Sequence, residues 1–196
     1  MSDRQPILNR RRAVFLDRDG TLCEDPFQSK AERPVLLPGV KSQMRRLKER
    51  GFLLVIISNQ GHIAKGTLDT KNVEQFNRRL ARMLGEHGAA PDLVLYCPHH
   101  PQGVVPSLSI RCDCRKPAPG MLLEAASTLN VDLPASYLVG DYIWDIEAGR
   151  SVGCATVGLG SRIPPGAADM SASTFREATE LILTDSLRLS HRSTQG

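Results

Sequence analysis

The sequence has no apolar run approaching the roughly 18 residues that span a bilayer, which argues against a membrane helix. Its first twelve residues, Met1 to Arg12, are charged and carry no apolar core of the kind that directs secretion, so a cytoplasmic location is expected. A disulfide framework is missing too. The chain has 5 cysteines, an odd number, and two of them are spaced Cys-x-Cys, which points to reduced or metal-bound thiols. Strong charge of one sign is also absent. A net charge of +4 is too mild to suggest a nucleic-acid partner, and much of it sits near the ends, in Arg10, Arg11, Arg12, Arg188 and Arg192, which read as solvated. No heptad or long apolar stripe stands out, so a monomer is expected.

What is present is the composition of a globular domain. At 196 residues, 41% hydrophobic and 23% charged, the chain can bury a core without covalent help. One domain over residues 13–187 is expected, preceded by a flexible arm at 1–12 and followed by a disordered tail at 188–196.

The most informative stretch is Ala13-Val14-Phe15-Leu16-Asp17-Arg18-Asp19-Gly20-Thr21. Four apolar residues in a row, too short for a helix, read as a strand buried on both faces. Residues two apart in extended chain point the same way, so Asp17 and Asp19 are expected to face one pocket, with Gly20 turning the chain away. Two carboxylates this close call for a divalent cation with oxygen ligands, magnesium being the natural candidate. One could attack phosphorus while the other moves a proton. An isolated Asp-x-Asp also serves as a plain strand end and turn.

The remaining strands alternate with helices. Residues 22–37 read as a loop, and a helix carrying Val40, Met44 and Leu47 ends at Gly51. The apolar run Phe52–Ile57 delivers Ser58 and Asn59, a hydroxyl and an amide placed to bind phosphate at the carboxyl end of a parallel strand. A helix over 70–87 faces inward with Val73, Phe76, Leu80, Met83 and Leu84. A third strand, Asp92–Tyr96, runs into Cys97-Pro98-His99-His100 and, later, Cys112-Asp113-Cys114. Three thiolates and one imidazole make a closed zinc shell of structural type, with Cys97, His99, Cys112 and Cys114 as ligands. His99 is preferred because Cys-x-His mirrors Cys-x-Cys, and His100 is left for the substrate side. Cys23 and Cys154 remain as core thiols. Arg115 and Lys116 follow the loop, where a lysine can neutralise the nucleophile and the phosphate charge, and an arginine fork can clamp a second phosphate or a hydroxyl. A strand at Tyr137–Val139 leads to Asp141, which would complete the magnesium shell, and to Asp145 a helical turn later, which could hold the lysine or the metal's waters. By its position alone Asp141 reads equally as a helix N-cap. A short strand at Ala155–Val157 follows, then a capping box, Thr174 to Glu177, opening a helix through Leu187.

Asp17/Asp19, Ser58, Lys116 and Asp141/Asp145, in this order, resemble the four motifs of the haloacid dehalogenase superfamily of phosphohydrolases. Within it, the strings SNQ, CPHHP and CDCRKP resemble the D-glycero-D-manno-heptose 1,7-bisphosphate phosphatases, and the zinc loop is shared with histidinol-phosphate phosphatases. The resemblance implies an α/β fold, a Rossmann-like three-layer sandwich with a central parallel sheet. It implies Asp17 as nucleophile, Asp19 as general acid/base, and magnesium on Asp17, the Asp19 main-chain carbonyl and Asp141. Ser58, Asn59, Arg115 and Lys116 would bind phosphate and sugar. The expected substrate is a small phosphorylated sugar losing its 7-phosphate through an aspartyl phosphate. The alternatives are histidinol phosphate or another sugar phosphate, and a zinc-stabilised binding protein without turnover. Gly61-His62 and Tyr142 depart from the family pattern where substrate is recognised. Only 18 residues separate Gly20 from Gly39, which leaves no room for a cap domain, so the zinc loop is expected to wall the site.

Overall fold

The computed structural model describes residues 10–26 and 33–193. Residues 27–32 of the expected loop, the arm before Arg10 and the last three residues lie outside this range. Six strands form one parallel sheet: β1 Ala13–Leu16, β2 Leu53–Asn59, β3 Leu93–Cys97, β4 Tyr137–Gly140, β5 Ala155–Leu159 and β6 Met170–Ala172, in the spatial order β3-β2-β1-β4-β5-β6. Among the described residues the helices are α1 Val40–Glu49, α2 Thr70–Gly85, α3 Gly120–Leu129, α4 Ile143–Ser151 and α5 Phe175–Ser193.

The unbroken apolar run of β1 is explained by helices on both sides of it. Val14 and Leu16 pack with Val40, Met44 and Leu47 of α1, Leu80 and Leu84 of α2 and Phe175, Ala178 and Ile182 of α5. Ala13 and Phe15 point the other way, onto Met121, Leu122 and Ala125 of α3 and Ala148 of α4. Alternate residues of one strand therefore feed two separate cores, giving three layers. Cys23 and Cys154 are buried within this structure, as thiols of the core.

Some boundaries differ from expectation. On α2 the buried face is Val73, Asn77, Leu80 and Leu84, with Phe76 and Met83 only half-buried. Strand β6 carries too few apolar residues to be read from sequence. Helix α5 does not stop at Leu187 but continues to Ser193, so most of the expected disordered tail is helical. The flexible arm also ends earlier than expected. Arg11 donates its N–H to Asn130 at 2.9 Å and accepts from Asp132 at 2.9 Å, while the Arg12 guanidinium lies 4.7 Å from the Phe52 ring centre.

Strand β1 sits between β2 and β4, where the chain reverses its direction of travel across the sheet. In open parallel sheets a crevice opens at the carboxyl ends of the strands at such a point. The linker from β1 to α1 is too short to hold a cap over it, and no described helix is long and apolar enough to cross a membrane.

Candidate active site

Three strand ends meet at the crevice. β1 supplies Asp17 and Asp19, β2 supplies Ser58 and Asn59, and β4 supplies Asp141, all lining an open cavity of about 250 Å³. Lys116 lies beneath it, 2% exposed, with Nζ 2.6 Å from Asp17 Oδ1, 2.6 Å from Asp145 Oδ1 and donating to the Ile57 carbonyl at 3.0 Å. Burial would lower the lysine pKa, but Asp145 and Asp17 outweigh it and hold it above the ordinary lysine range, so it stays charged. Asp145 is wholly buried, and its other oxygen accepts the Tyr142 N–H at 3.1 Å, closing a capping box at the start of α4. Of the two roles expected for Asp145, it takes that of holding the lysine. The N-cap of α4 is Tyr142, which leaves the Asp141 carboxylate in the crevice.

Asp19 shares the cavity but not the cluster around Asp17. Arg18 grips both its oxygens, from Nε at 2.8 Å and Nη2 at 2.7 Å, and Gln60 Nε2 adds a hydrogen bond of 2.8 Å. Arg18 is itself 1% exposed, donates to Asn77 Oδ1 at 2.7 Å and lies 4.6 Å over the Phe76 ring. Gln60 also donates to Ser58 Oγ at 2.6 Å. The carboxylates whose oxygens all fall within 4.8 Å of one another are those of Asp17, Asp141 and Asp145. The Asp19 carboxylate is held instead by Arg18 and Gln60, an arrangement compatible with the expectation that only its main-chain carbonyl faces a metal.

Asn59 lines the cavity, and its amide is paired with the main chain of Lys116. Its Nδ2 donates to the Lys116 carbonyl and its Oδ1 accepts the Lys116 N–H, both at 3.0 Å. The amide is spent on fixing the main chain of the lysine. Ser58 is 3% exposed and lines the cavity, as do Arg115 and His100 from the zinc loop. Arg115 is steadied by a 3.1 Å hydrogen bond to the His99 carbonyl.

Asp141 is 6% exposed and accepts from Arg162 Nη1 at 2.8 Å. Burial, then the neighbouring Asp145 charge, pushes its pKa up to about 6 against the pull of Arg162. Asp17 is likewise raised well above the carboxylate range by burial, against Lys116, with Asp145, Asp19 and Asp141 adding repulsion. Crowding of this kind is what a divalent cation on Asp17 and Asp141 would relieve, and the all-oxygen donor set suits magnesium. Gly20 has φ 87°, and a Cβ there would overlap the Asp141 carboxylate, so glycine lets the turn lie against it.

The sulfur cluster forms as expected. Cys97, Cys112 and Cys114 Sγ atoms are 3.2 to 3.5 Å apart, and His99 Nδ1 is 3.3 Å from Cys114 and 3.7 Å from Cys97. A tetrahedral zinc with bonds of about 2.3 Å has edges near about 3.7 Å, so the donors fit it. Burial pushes the Cys97 and Cys114 thiols up, whereas at Cys112 the neighbouring S–H donors outweigh burial and pull it down. His100 stays outside the cluster and accepts from the Gln102 N–H at 3.1 Å. The loop is also held by main-chain bonds from Val104 and Val105 to the Ala64 carbonyl, at 2.8 and 3.0 Å.

Sequence reasoning missed Arg18, Asn77 and Arg162, and left Gln60 without a role. Arg18 is hidden between two acids that draw the attention, and Asn77 and Arg162 lie in a helix and a loop with no motif around them.

A capless α/β core with an Asp-x-Asp strand end, a buried lysine between two aspartates and a neighbouring Cys3His cluster defines a phosphatase of the haloacid dehalogenase superfamily. The model of the polynucleotide kinase 3 phosphatase family matches residues 13–173. The D-glycero-beta-D-manno-heptose-1,7-bisphosphate 7-phosphatase of Yersinia pestis is 41% identical over 145 residues, covering 74% of this chain and 77% of that one. The same enzyme of Escherichia coli K12 is also 41% identical, covering 74% and 76%. Among solved structures, the D,D-heptose 1,7-bisphosphate phosphatase of B. bronchiseptica, crystallised with magnesium and phosphate, has a TM-score of 0.73 at 27% identity, covering 89% of this chain and 99% of that one. A Mesorhizobium loti protein of the haloacid dehalogenase type has a TM-score of 0.78 at 35% identity, covering 89% and 85%. This chain belongs to the heptose-bisphosphate phosphatase family of that superfamily.

Proposed function

We propose that this protein is a magnesium-dependent phosphomonoesterase that removes the 7-phosphate of D-glycero-D-manno-heptose 1,7-bisphosphate. The observation that carries the chemistry is Lys116 Nζ, held 2.6 Å from both Asp17 and Asp145 at the floor of an open crevice. The relatives' names supply the substrate. An oxygen of Asp17 attacks phosphorus and the ester P–O bond breaks, leaving an aspartyl phosphate. Asp19, aimed by Arg18 and Gln60, delivers the proton that the departing sugar oxygen needs. Asp19 then takes a proton from water as that water attacks phosphorus, which frees inorganic phosphate and restores Asp17. Ser58 holds a phosphate oxygen, Lys116, whose N–H groups go to Asp17, Asp145 and the Ile57 carbonyl, fixes the nucleophile and supplies positive charge beneath the phosphate, and Asn59 acts by fixing Lys116. Magnesium, held by Asp17, Asp141 and the Asp19 carbonyl, would supply positive charge against the carboxylates and the phosphate. Cys97, His99, Cys112 and Cys114 would hold zinc, which would supply a structural anchor for the loop that carries Arg115 and His100 to the wall of the cavity. The reading as a binding protein without turnover is not retained, since the family is one of phosphatases and its acids and lysine are all in place.

Phosphate release is to be measured with and without magnesium, from both anomers of heptose 1,7-bisphosphate and from histidinol phosphate, beside Asp17→Asn. Magnesium-dependent release from one heptose anomer, lost in the variant, is expected. Faster release from histidinol phosphate would overturn the substrate.

A further inference from the structure

One wall of the cavity is unused by the chemistry above. Tyr142 and Trp144 line it, stacked with ring centres 4.0 Å apart and planes within 10°. They are 38% and 37% exposed. Among the described residues they alone of the exposed large apolar side chains are aromatic, and they alone of that group line this cavity. Exposed aromatics cost solvation unless something covers them, and here what can cover them must enter the site.

The stack is built rather than incidental. Arg162 lies over the Tyr142 ring at 5.4 Å while its Nη1 is fastened to Asp141 at 2.8 Å. The Tyr142 ring is therefore engaged both by Trp144 and by a guanidinium that is itself anchored. With Tyr142 engaged in both contacts, the surface that Trp144 keeps exposed at the cavity is what the stack offers to a ligand. Backbone geometry fixes its base as well, because the Asp145 carboxylate that accepts the Tyr142 N–H also holds Lys116. The cations Lys65 and Arg115 line the same cavity.

We infer that the exposed surface of Trp144 is a ring-binding subsite, which receives the C–H face of the sugar that carries the scissile phosphate. The negative face of an indole attracts the positively polarised C–H edge of a ring, and the contact buries apolar area on both sides. Phosphate on the catalytic floor, ring on Trp144 and second phosphate toward Lys65 and Arg115 account for each part of a bisphosphorylated sugar. An acyclic phosphate ester gains nothing from the platform. The inference rests on the sugar-phosphate reading and adds where the ring lies.

The test compares wild-type protein, Trp144→Ala and Trp144→Phe on heptose 1,7-bisphosphate, on glucose 6-phosphate and on glycerol 3-phosphate. Trp144→Ala should lower kcat/KM on the ring substrates about 5- to 10-fold, mostly through KM, with glycerol 3-phosphate unchanged and Trp144→Phe restoring most of the loss. Trp144 is the only tryptophan, so its emission reads the site directly. In Asp17→Asn protein that emission should change saturably with the sugar phosphates and not with inorganic phosphate. Equal losses on ring and acyclic esters, or an emission change with phosphate alone, would overturn the subsite. Failure to hydrolyse the heptose bisphosphate, with ring preference intact on glucose 6-phosphate, would overturn the substrate and leave the subsite standing.

Discussion

Replacing Asn59 by Ala separates a residue that binds substrate from one that positions the lysine. The side chain makes two hydrogen bonds of 3.0 Å with the peptide groups of Lys116, joining the end of β2 to the exit of the zinc loop. Lys116 is 2% exposed, so water does not readily replace the lost partner. At about 0.5–1.5 kcal/mol net for each bond, and more for a buried group left unpaired, the loss should be about 2–3 kcal/mol. For a chain of this length that corresponds to a fall in Tm of about 5–10 °C. Loosening the lysine by even a fraction of an ångström should lower kcat about 10- to 100-fold. Thermal unfolding followed by circular dichroism gives the first quantity, and phosphate release from a sugar phosphate and from glycerol 3-phosphate gives the second. The fall in kcat should be the same for both substrates, with KM little altered. A variant with an unchanged Tm and a raised KM for the sugar alone would refute the assignment and return Asn59 to the substrate.

Removing zinc with a strong chelator should release about one ion per chain, expose residues 98–111 to proteolysis and lower Tm sharply, because structural zinc contributes about 10–16 kcal/mol in small domains against a typical domain stability of about 5–15; retained protection after the metal is gone would show that the Ala64 bonds suffice. In magnesium-free protein, Asp141 has its pKa raised from 3.8 to about 6, so the folded state binds this proton more tightly than the unfolded one. Its contribution to stability is therefore lost as pH rises from about 4 to about 6, and Asp141→Asn should flatten the dependence of Tm on pH across that window; a slope unchanged in the variant would refute it. Gly20→Ala forces an L side chain to φ 87° and into the Asp141 carboxylate, so magnesium affinity by calorimetry should fall more than about tenfold, with about 1–2 kcal/mol of stability lost to the backbone alone.

Much of the site was legible because strand ends announce themselves. An apolar run followed at once by Asp17, by Ser58 or by Asp141 says both that the strand is buried and that the polar residue stands at its carboxyl end. The zinc ligands were legible for a different reason, since two pairs at x-spacing leave few other uses for four such side chains. What stayed hidden was made by distant pieces of chain. Arg18 shows no role in the sequence because Asn77 and Phe76 of α2 close over it only in the fold, and an asparagine on an apolar helix face gives no sign that it faces a guanidinium. Arg162 follows Asp141 by helix α4, strand β5 and a turn, so only the fold makes them neighbours. Asn59 shows the limit within a motif. Its position at the site was correct, yet which partner its amide takes depends on Lys116, 57 residues away.

The Cys97, His99, Cys112 and Cys114 cluster also divides the chain into parts that can change and parts that cannot. Cys97 ends β3, and Cys114 stands two residues before Lys116, whose peptide is pinned by Asn59. Both ends of the loop are therefore fixed by bonds that owe nothing to residues 101–111. Segments of different length or charge should be exchangeable there, altering the surface beside the site while His100, Arg115, the nucleophile and its lysine keep their places. The loop is a replaceable cassette, and grafting residues 101–111 between members of the family should change the surface beside the site on an unaltered phosphate-transfer centre.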